Sequence, residues 1–163
     1  MMRKRVGMWL SQSTILAAGL FLAASPAQAW DDHSMPGAAC LPFSEAYTTN
    51  LFHHWTGKLH NGNASGSLSV TCPVHRDTPS TTTGVWAAVY IYNPAGKTSS
   101  CTFNSGDVDG NALDSETKST TTTGFQAFYF TNVTVSATWT HYFITCSVPG
   151  GGAVNAYYVY ENT

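Results

Sequence analysis

The sequence predicts an all-β fold, an antiparallel β-sandwich of about seven or eight strands held by two disulfides. Three observations carry that expectation. From Trp30 onward there are 34 Ser and Thr but only five Leu, three Glu and one Gln, so strand-favouring residues abound and helix formers are scarce. Apolar and polar side chains alternate with a period of two in one segment after another, with turn residues between the segments. Four cysteines, an even number, follow a segment that reads as an export signal, and disulfides form and persist in the compartments to which such signals lead.

Met1 to Ala29 has the layout of a removable signal peptide. Arg3-Lys4-Arg5 precedes an apolar stretch from Ile15 to Ala24, and Ala27-Gln28-Ala29 forms a small-residue cleavage pattern before Trp30. The apolar stretch falls well short of the roughly twenty residues that span a bilayer, so no membrane insertion of the mature chain is expected. Cleavage there leaves 134 of the 163 residues, the size of one domain, in a secreted or periplasmic location. The mature chain keeps four Lys/Arg against nine Asp/Glu, a net charge of −5. Such a chain has no basic surface to displace counterions from phosphates, which excludes nucleic acid as an expected partner and disfavours anionic membranes. Gly37-Ala38-Ala39-Cys40 has the outline of a lipoprotein site, but Asp31, Asp32 and His33 intervene, so Cys40 reads as structural.

Along the chain, Trp30 to Gly37 reads as a mobile tail and Tyr47 to His60 as room for one short strand. Residues 30–62 are thus expected to be a tail and an irregular segment. The sandwich core is expected over 63–163, with part of 38–62 joining it. Leu68, Val70, Cys72 and Val74 alternate with Ser67, Ser69 and Thr71 as a half-buried strand, which Pro73 places at an edge or an end. A polar loop follows from His75 to Thr83. Gly84 to Asn93 carries Val85, Ala87, Val89 and Ile91 on one face and Trp86, Ala88, Tyr90 and Tyr92 on the other, so it reads as a central strand. Asn93-Pro94-Ala95-Gly96 closes it as a turn. Ser99, Cys101 and Phe103 begin the next strand, and Asp109-Gly110-Asn111 offers hairpin chemistry before Ala112 to Thr120. Phe125 to Val135, Tyr142 to Val148 and Val154 to Glu161 supply three more strands, the last two separated by Pro149-Gly150-Gly151-Gly152.

No Cys-x-x-Cys occurs, so zinc-ribbon and thioredoxin-like arrangements fail. Cys101 and Cys146 sit mid-strand in alternating patterns, whereas Cys40 and Cys72 lie at or near prolines. The expected bridges are therefore 101 with 146 and 40 with 72, each worth about 3 to 4 kcal/mol on the loop-entropy model.

The segment Val70-Thr71-Cys72-Pro73-Val74-His75-Arg76-Asp77 is the most specific stretch of a longer series. The series also includes Asn63-Ala64-Ser65, Val89-Tyr90-Ile91-Tyr92, Ser100-Cys101-Thr102-Phe103, Gly110-Asn111, Tyr142 to Pro149, and Tyr157 to Glu161. From Cys40 onward this order resembles a family of small, secreted, uncharacterised bacterial proteins with four cysteines and a Cys-Pro-Val-x-Arg-Asp segment. The resemblance implies export, paired cysteines and a β-sandwich, and it implies no activity. The chain differs from that pattern in its richer aromatic content and its His-rich stretch from Phe52 to His60. With a bacterial source implied, the acceptor patterns Asn63-Ala64-Ser65 and Asn132-Val133-Thr134 carry no expectation of glycosylation.

Candidate chemistry is sparse. His53-His54-x5-His60 brings imidazoles near one another in sequence, but adjacent residues on a strand face opposite ways, and no cysteine or carboxylate pair joins them at a zinc spacing. No metal and no cofactor is expected, with His33, His75 and His141 scattered elsewhere. Asp107-Val108-Asp109-Gly110-Asn111 with Glu116 faintly suggests a calcium loop, yet Ala112 and Lys118 occupy the places where an EF-hand needs Gly and Glu, so a hairpin turn is expected. No Gly-x-Ser-x-Gly is present, and Gly62-Asn63-Ala64-Ser65-Gly66 has the wrong spacing. Arg76-Asp77 reads as a local ion-paired turn, and no catalytic residue is assigned.

The aromatics are the strongest remaining signal. Trp86, Tyr90 and Tyr92 share one face of one strand, where an exposed row would stack on sugar rings. The pattern of Gly84 to Asn93, apolar on both faces, instead predicts them to be a second buried face, or one covered by Phe52 to Trp55. The leading expectation is thus a non-catalytic secreted or periplasmic sandwich with a binding or envelope-associated structural role. A carbohydrate-binding module using Trp86, Tyr90 and Tyr92 and a small secreted hydrolase are the alternatives, with a polysaccharide or a cell-surface partner as the possible ligand.

Overall fold

A computed structural model describes residues 31–43, 51–53, 56–75, 85–134 and 140–161. The expected signal peptide, most of the 75–83 loop with Arg76-Asp77, and His54 and Trp55 lie outside the described residues. Within them the chain forms eleven strands: β1 (Asp31–Pro36), β2 (Leu41–Pro42), β3 (Leu51–His53), β4 (Leu59–Asn61), β5 (Ser67–Val74), β6 (Val85–Asn93), β7 (Ser99–Gly106), β8 (Ala112–Thr120), β9 (Gly124–Val133), β10 (His141–Pro149) and β11 (Ala153–Glu161). They make two antiparallel sheets. One has the order β3-β4-β11-β6-β9, with β1 also paired to β11, and the other β2-β5-β10-β7-β8.

The seven strands expected from alternation are β5 to β11; the added four are short and N-terminal. Asp31 to Pro36 was expected as a tail and is instead a strand, running antiparallel to β11 from Asp31 opposite Glu161 to Pro36 opposite Ala156. The free edge of β11 explains this, since its unpaired N–H and C=O groups template another strand. The Tyr47 to His60 region holds two short strands, β3 and β4, rather than one. A single 3-10 turn (Gly37–Ala39) then packs against β11 where that strand bulges between Val154 and Ala156. Gly37 is required there, because a Cβ would collide with the Val154 carbonyl.

Inward side chains of the two sheets interleave as the core. Val85, Val89 and Ile91 from β6, Phe128 and Phe130 from β9, and Val154, Tyr157 and Val159 from β11 meet Leu68 and Val70 from β5, Phe103 from β7, and Ile144 and Val148 from β10. Phe103 stacks on Tyr142 at 5.4 Å and tilts against Phe130 at 5.9 Å across the sheets. Both disulfides form as expected, Cys40 with Cys72 and Cys101 with Cys146. The second joins directly opposed residues of β7 and β10. All four cysteines are buried, and the pairing of Cys40 removes the lipoprotein alternative.

Two buried asparagines tie the ends of the sandwich. The Asn93 side-chain amide donates to the Lys97 and Thr122 carbonyls at 3.0 and 3.1 Å, while its oxygen accepts from the Ser99 hydroxyl at 2.8 Å. One residue thereby joins the end of β6 to the turns that follow β6 and β8. Asn61 likewise donates to the Val148 carbonyl at 2.8 Å, from one sheet to the other.

Candidate functional site

The side of β6 that faces away from the core is open to solvent. Trp86 is 52% exposed, Tyr90 36% and Tyr92 37%, so the expectation that this row is a second buried face is overturned. The reason lies in the layering. Strand β6 packs against the other sheet through Val85, Ala87, Val89 and Ile91, and no third layer among the described residues covers the outer side of its sheet. The side chains of Phe52 and His53 also lie outside the described residues, but β3, which carries them, is separated from β6 by β4 and β11.

Register extends the row into a surface. Residues directly opposed in antiparallel strands share a face. Trp86 opposes Tyr160 of β11, Ala88 lies between Tyr158 of β11 and Tyr129 of β9, Tyr90 lies between Ala156 and Ala127, and Tyr92 opposes Phe125. Phe125 is 70% exposed and Tyr129 60%. Seven aromatic rings from three adjacent strands therefore stand on one face. Trp86 and Tyr92, six residues apart, are separated by about 20 Å along the strand, and the three strands span about 10 Å across it.

The rings are organised. Tyr90 meets Tyr158 edge to face, with centroids 5.4 Å apart, and Tyr92 meets Phe125 at 5.5 Å. The Tyr129 phenol beside Tyr90, ahead of desolvation and the phenols of Tyr160 and Tyr158, raises the Tyr90 pKa above the ordinary 10.0. Ala88, at the middle of this cluster, is buried beneath the rings. The Lys58 ammonium lies over the Phe125 ring, 5.6 Å from its centroid, at one end of the surface. Sequence reasoning found the three β6 residues but missed Phe125, Tyr129, Tyr158 and Tyr160, since only the pairing of β9 and β11 with β6 places them there. The alternation within Phe125 to Val135 and Val154 to Glu161 carried the parity but not the neighbours.

The remaining candidates serve the fold. Asp107 accepts from the backbone N–H groups of Asp109 and Asn111 at 3.0 and 2.8 Å and from the Asn111 side-chain amide at 3.0 Å. The Asn111 amides, side chain first, hold the Asp107 carboxyl below the usual range. This segment is the β7–β8 hairpin turn, with Gly110 at φ +84°. Asp114 accepts from the Thr134 N–H at 2.8 Å and its hydroxyl at 3.0 Å, and the Thr134 amide in particular lowers its pKa. Glu116 accepts from the Thr131 N–H at 2.8 Å and pairs with Lys118 at 2.6 Å. These two carboxylates, on the core side of β8, cap backbone donors on the free edge of β9, a device that blunts strand addition. His60 is half-buried on β4, His75 is exposed after β5, and His141 stacks on Phe143 two residues along β10. Among the described residues no three His, Cys, Asp or Glu side chains gather where they could hold a metal ion.

No family model and no curated protein matches this sequence. Among solved structures, the chain is similar to the C-terminal CBM6 module of a laminarinase from Zobellia galactanivorans, with a TM-score of 0.51 and 16% identity over 80% of this chain and all of that one. A carbohydrate-binding module of Cellvibrio mixtus lichenase 5A, solved with cellotriose, aligns with a TM-score of 0.45 and 13% identity over 80% of this chain and 98% of that one. At these identities the first alignment supports a shared sandwich fold and the second adds no weight to it.

Proposed function

We propose that this chain is a non-catalytic, carbohydrate-binding β-sandwich that works outside the cytoplasm, with Trp86, Tyr90 and Tyr92 at the centre of its glycan-binding face. The observation that carries the proposal is the solvent exposure of this row at the centre of a seven-ring surface. Large contiguous apolar patches are uncommon on monomeric proteins, and those that occur often mark binding sites. Aromatic faces rimmed by phenol hydroxyls suit a sugar, whose C–H faces stack on rings while its hydroxyls exchange hydrogen bonds. Folding alone does not require these rings outside, because the other sheet solves the same problem with Ser and Thr. The likeness to a carbohydrate-binding module of a laminarinase supports the proposal by analogy of fold. The two disulfides and the signal-like segment before Trp30 agree with an oxidising, extracytoplasmic setting. Among the described residues, Asp107 accepts hydrogen bonds within a turn, and Asp114 and Glu116 accept them along a strand edge.

Replacing Trp86 by Ala tests this. Retention on a panel of immobilised polysaccharides is expected to fall while the melting transition stays near that of the parent protein. Unchanged retention in Trp86→Ala would place the site elsewhere, and absence of any glycan binding by the parent would end the proposal.

A further inference from the structure

We infer that this face takes a single chain of uncharged glycan, rather than the flat face of a crystalline polysaccharide or a polyanionic one; the inference rests on the carbohydrate reading above. The ring tilts are the first ground. Tyr90 and Tyr158 are inclined to each other by 76°, and Tyr92 and Phe125 by 67°. Two rings at such angles cannot both lay their faces on one plane. A crystalline surface, which presents its sugars in one plane, would stack on at most one ring of each pair. A free chain turns about its linkages, so successive sugars can meet ring faces set at different tilts.

Surface relief points the same way. Along β6 a ring is flanked by methyls and a methyl by rings, because Tyr90 lies between Ala127 and Ala156, and Ala88 between Tyr129 and Tyr158. The edge-to-face contacts of Tyr90 with Tyr158 and of Tyr92 with Phe125 hold that pattern in place. The surface is preorganised and cannot flatten without losing these contacts.

Charge supplies the second ground. The polar groups that the seven rings offer are phenol hydroxyls and the Trp86 indole N–H, all uncharged donors or acceptors. Among the described residues, Lys58 is the cation placed against the rings, at the Phe125 end. One cation does not match a chain bearing a carboxylate or sulfate on each sugar, and the nine acidic residues against four basic ones from Trp30 onward would repel it. A neutral, hydroxyl-rich chain needs ring faces and uncharged partners, which this surface provides.

The test uses the exported protein with Trp86→Ala and Tyr92→Ala variants. Gel retardation is measured in soluble β-glucan, xylan, galactan and mannan, and in polygalacturonate, alongside pull-down on microcrystalline cellulose and chitin. The expected result is retardation by a soluble neutral glycan, little changed between about 0.05 and 0.5 M NaCl, and weakened about tenfold by Trp86→Ala. Trp86-dependent binding to crystalline polysaccharide or polygalacturonate, without binding to any soluble neutral glycan, would overturn the inference and leave the carbohydrate reading standing. If no glycan is bound, both fall together; if Trp86→Ala binds as the parent does, the glycan site lies elsewhere and the inference about this face falls.

Discussion

The two outer faces of the sandwich are built on the same backbone plan and dressed oppositely. On the β6 sheet the outward positions are Trp86, Tyr90, Tyr92, Phe125, Tyr129, Tyr158 and Tyr160. On the β10 sheet they are mostly Ser69, Thr71, Ser100, Thr102, Thr117, Thr145 and Ser147, with Leu41, Pro73 and Phe143 as the apolar exceptions and Thr102 and Thr117 hydrogen-bonded across strands at 2.9 Å. Both faces are wet, so burial does not account for the difference. Ser and Thr are what a solvated sheet face needs for strand propensity and solubility, whereas seven rings in the same situation leave apolar area exposed to water at a free-energy cost. The contrast isolates the aromatic face as the one whose composition calls for a ligand.

The largest expected effect comes from below both faces. Phe130 is buried between the sheets, and Phe130→Ala is expected to cost about 3 to 5 kcal/mol, measured by denaturant or thermal unfolding. A loss under about 1 kcal/mol would mean that the inward and outward rings of the β6 sheet do not differ in the way described. Next, replacing Cys101 and Cys146 together by Ala is expected to cost about 3 to 4 kcal/mol by the loop-closure model. Because the bridge lies under the Ser/Thr face, glycan binding by the folded fraction should survive its removal.

Tyr157 links the two sheets and sharpens the comparison with the exposed tyrosines. Its hydroxyl donates to the Pro73 carbonyl at 2.7 Å, and burial pushes its pKa up to about 12. In the unfolded chain the same phenol titrates near 10.0. Between those values the folded state holds the proton more tightly, so its contribution is whole below pH 10 and is lost as the pH rises toward 12. The shift corresponds to roughly 2 to 3 kcal/mol across that window. Tyr157→Phe is expected to cost about 1 to 3 kcal/mol at neutral pH, by leaving the carbonyl unpaired, and to make the alkaline fall in stability shallower. An alkaline profile identical to the parent's would show that another group controls it.

How much of this was legible in the sequence depends on what marks the outward side of a strand. In β5, β7 and β10 polarity marks it: Ser and Thr alternate with Leu, Val, Cys, Phe and Ile, so the strands, their inward faces and the Cys101–Cys146 pairing follow from period-two reading, while the Cys40–Cys72 pairing was signalled by the prolines near both residues. In β6 and β11 nothing marks it. Trp and Tyr are as ordinary in a core as on a binding surface, so a strand apolar on both sides reads as doubly buried until the layers are counted. Strand β8 fails in the opposite sense. Asp114, Glu116 and Lys118 alternate with Ser115, Thr117 and Ser119, both sets polar, and only the neighbouring edge of β9 shows why the charged set turns inward. Strand β1 was missed because it carries no apolar alternation. Its pairing is dictated by the open edge of β11 rather than by its own side chains.

The smallest expected effects separate the two faces most directly. Trp86→Ala removes a half-exposed ring that opposes Tyr160, and its cost should be about 1 kcal/mol or less, the scale of a cross-strand pair. Thr102→Ala, on the other face, removes one side of the Thr102–Thr117 hydrogen bond and should cost a few tenths of a kcal/mol, because the freed hydroxyl of Thr117 is exposed and finds water. In stability the two substitutions are nearly indistinguishable. They part company on a glycan column, where Trp86→Ala should elute early and Thr102→Ala with the parent. Early elution of Thr102→Ala would mean that the hydroxyl-lined face also contacts sugar, and the opposition between the two faces would then be one of ligand chemistry rather than of binding against solvation.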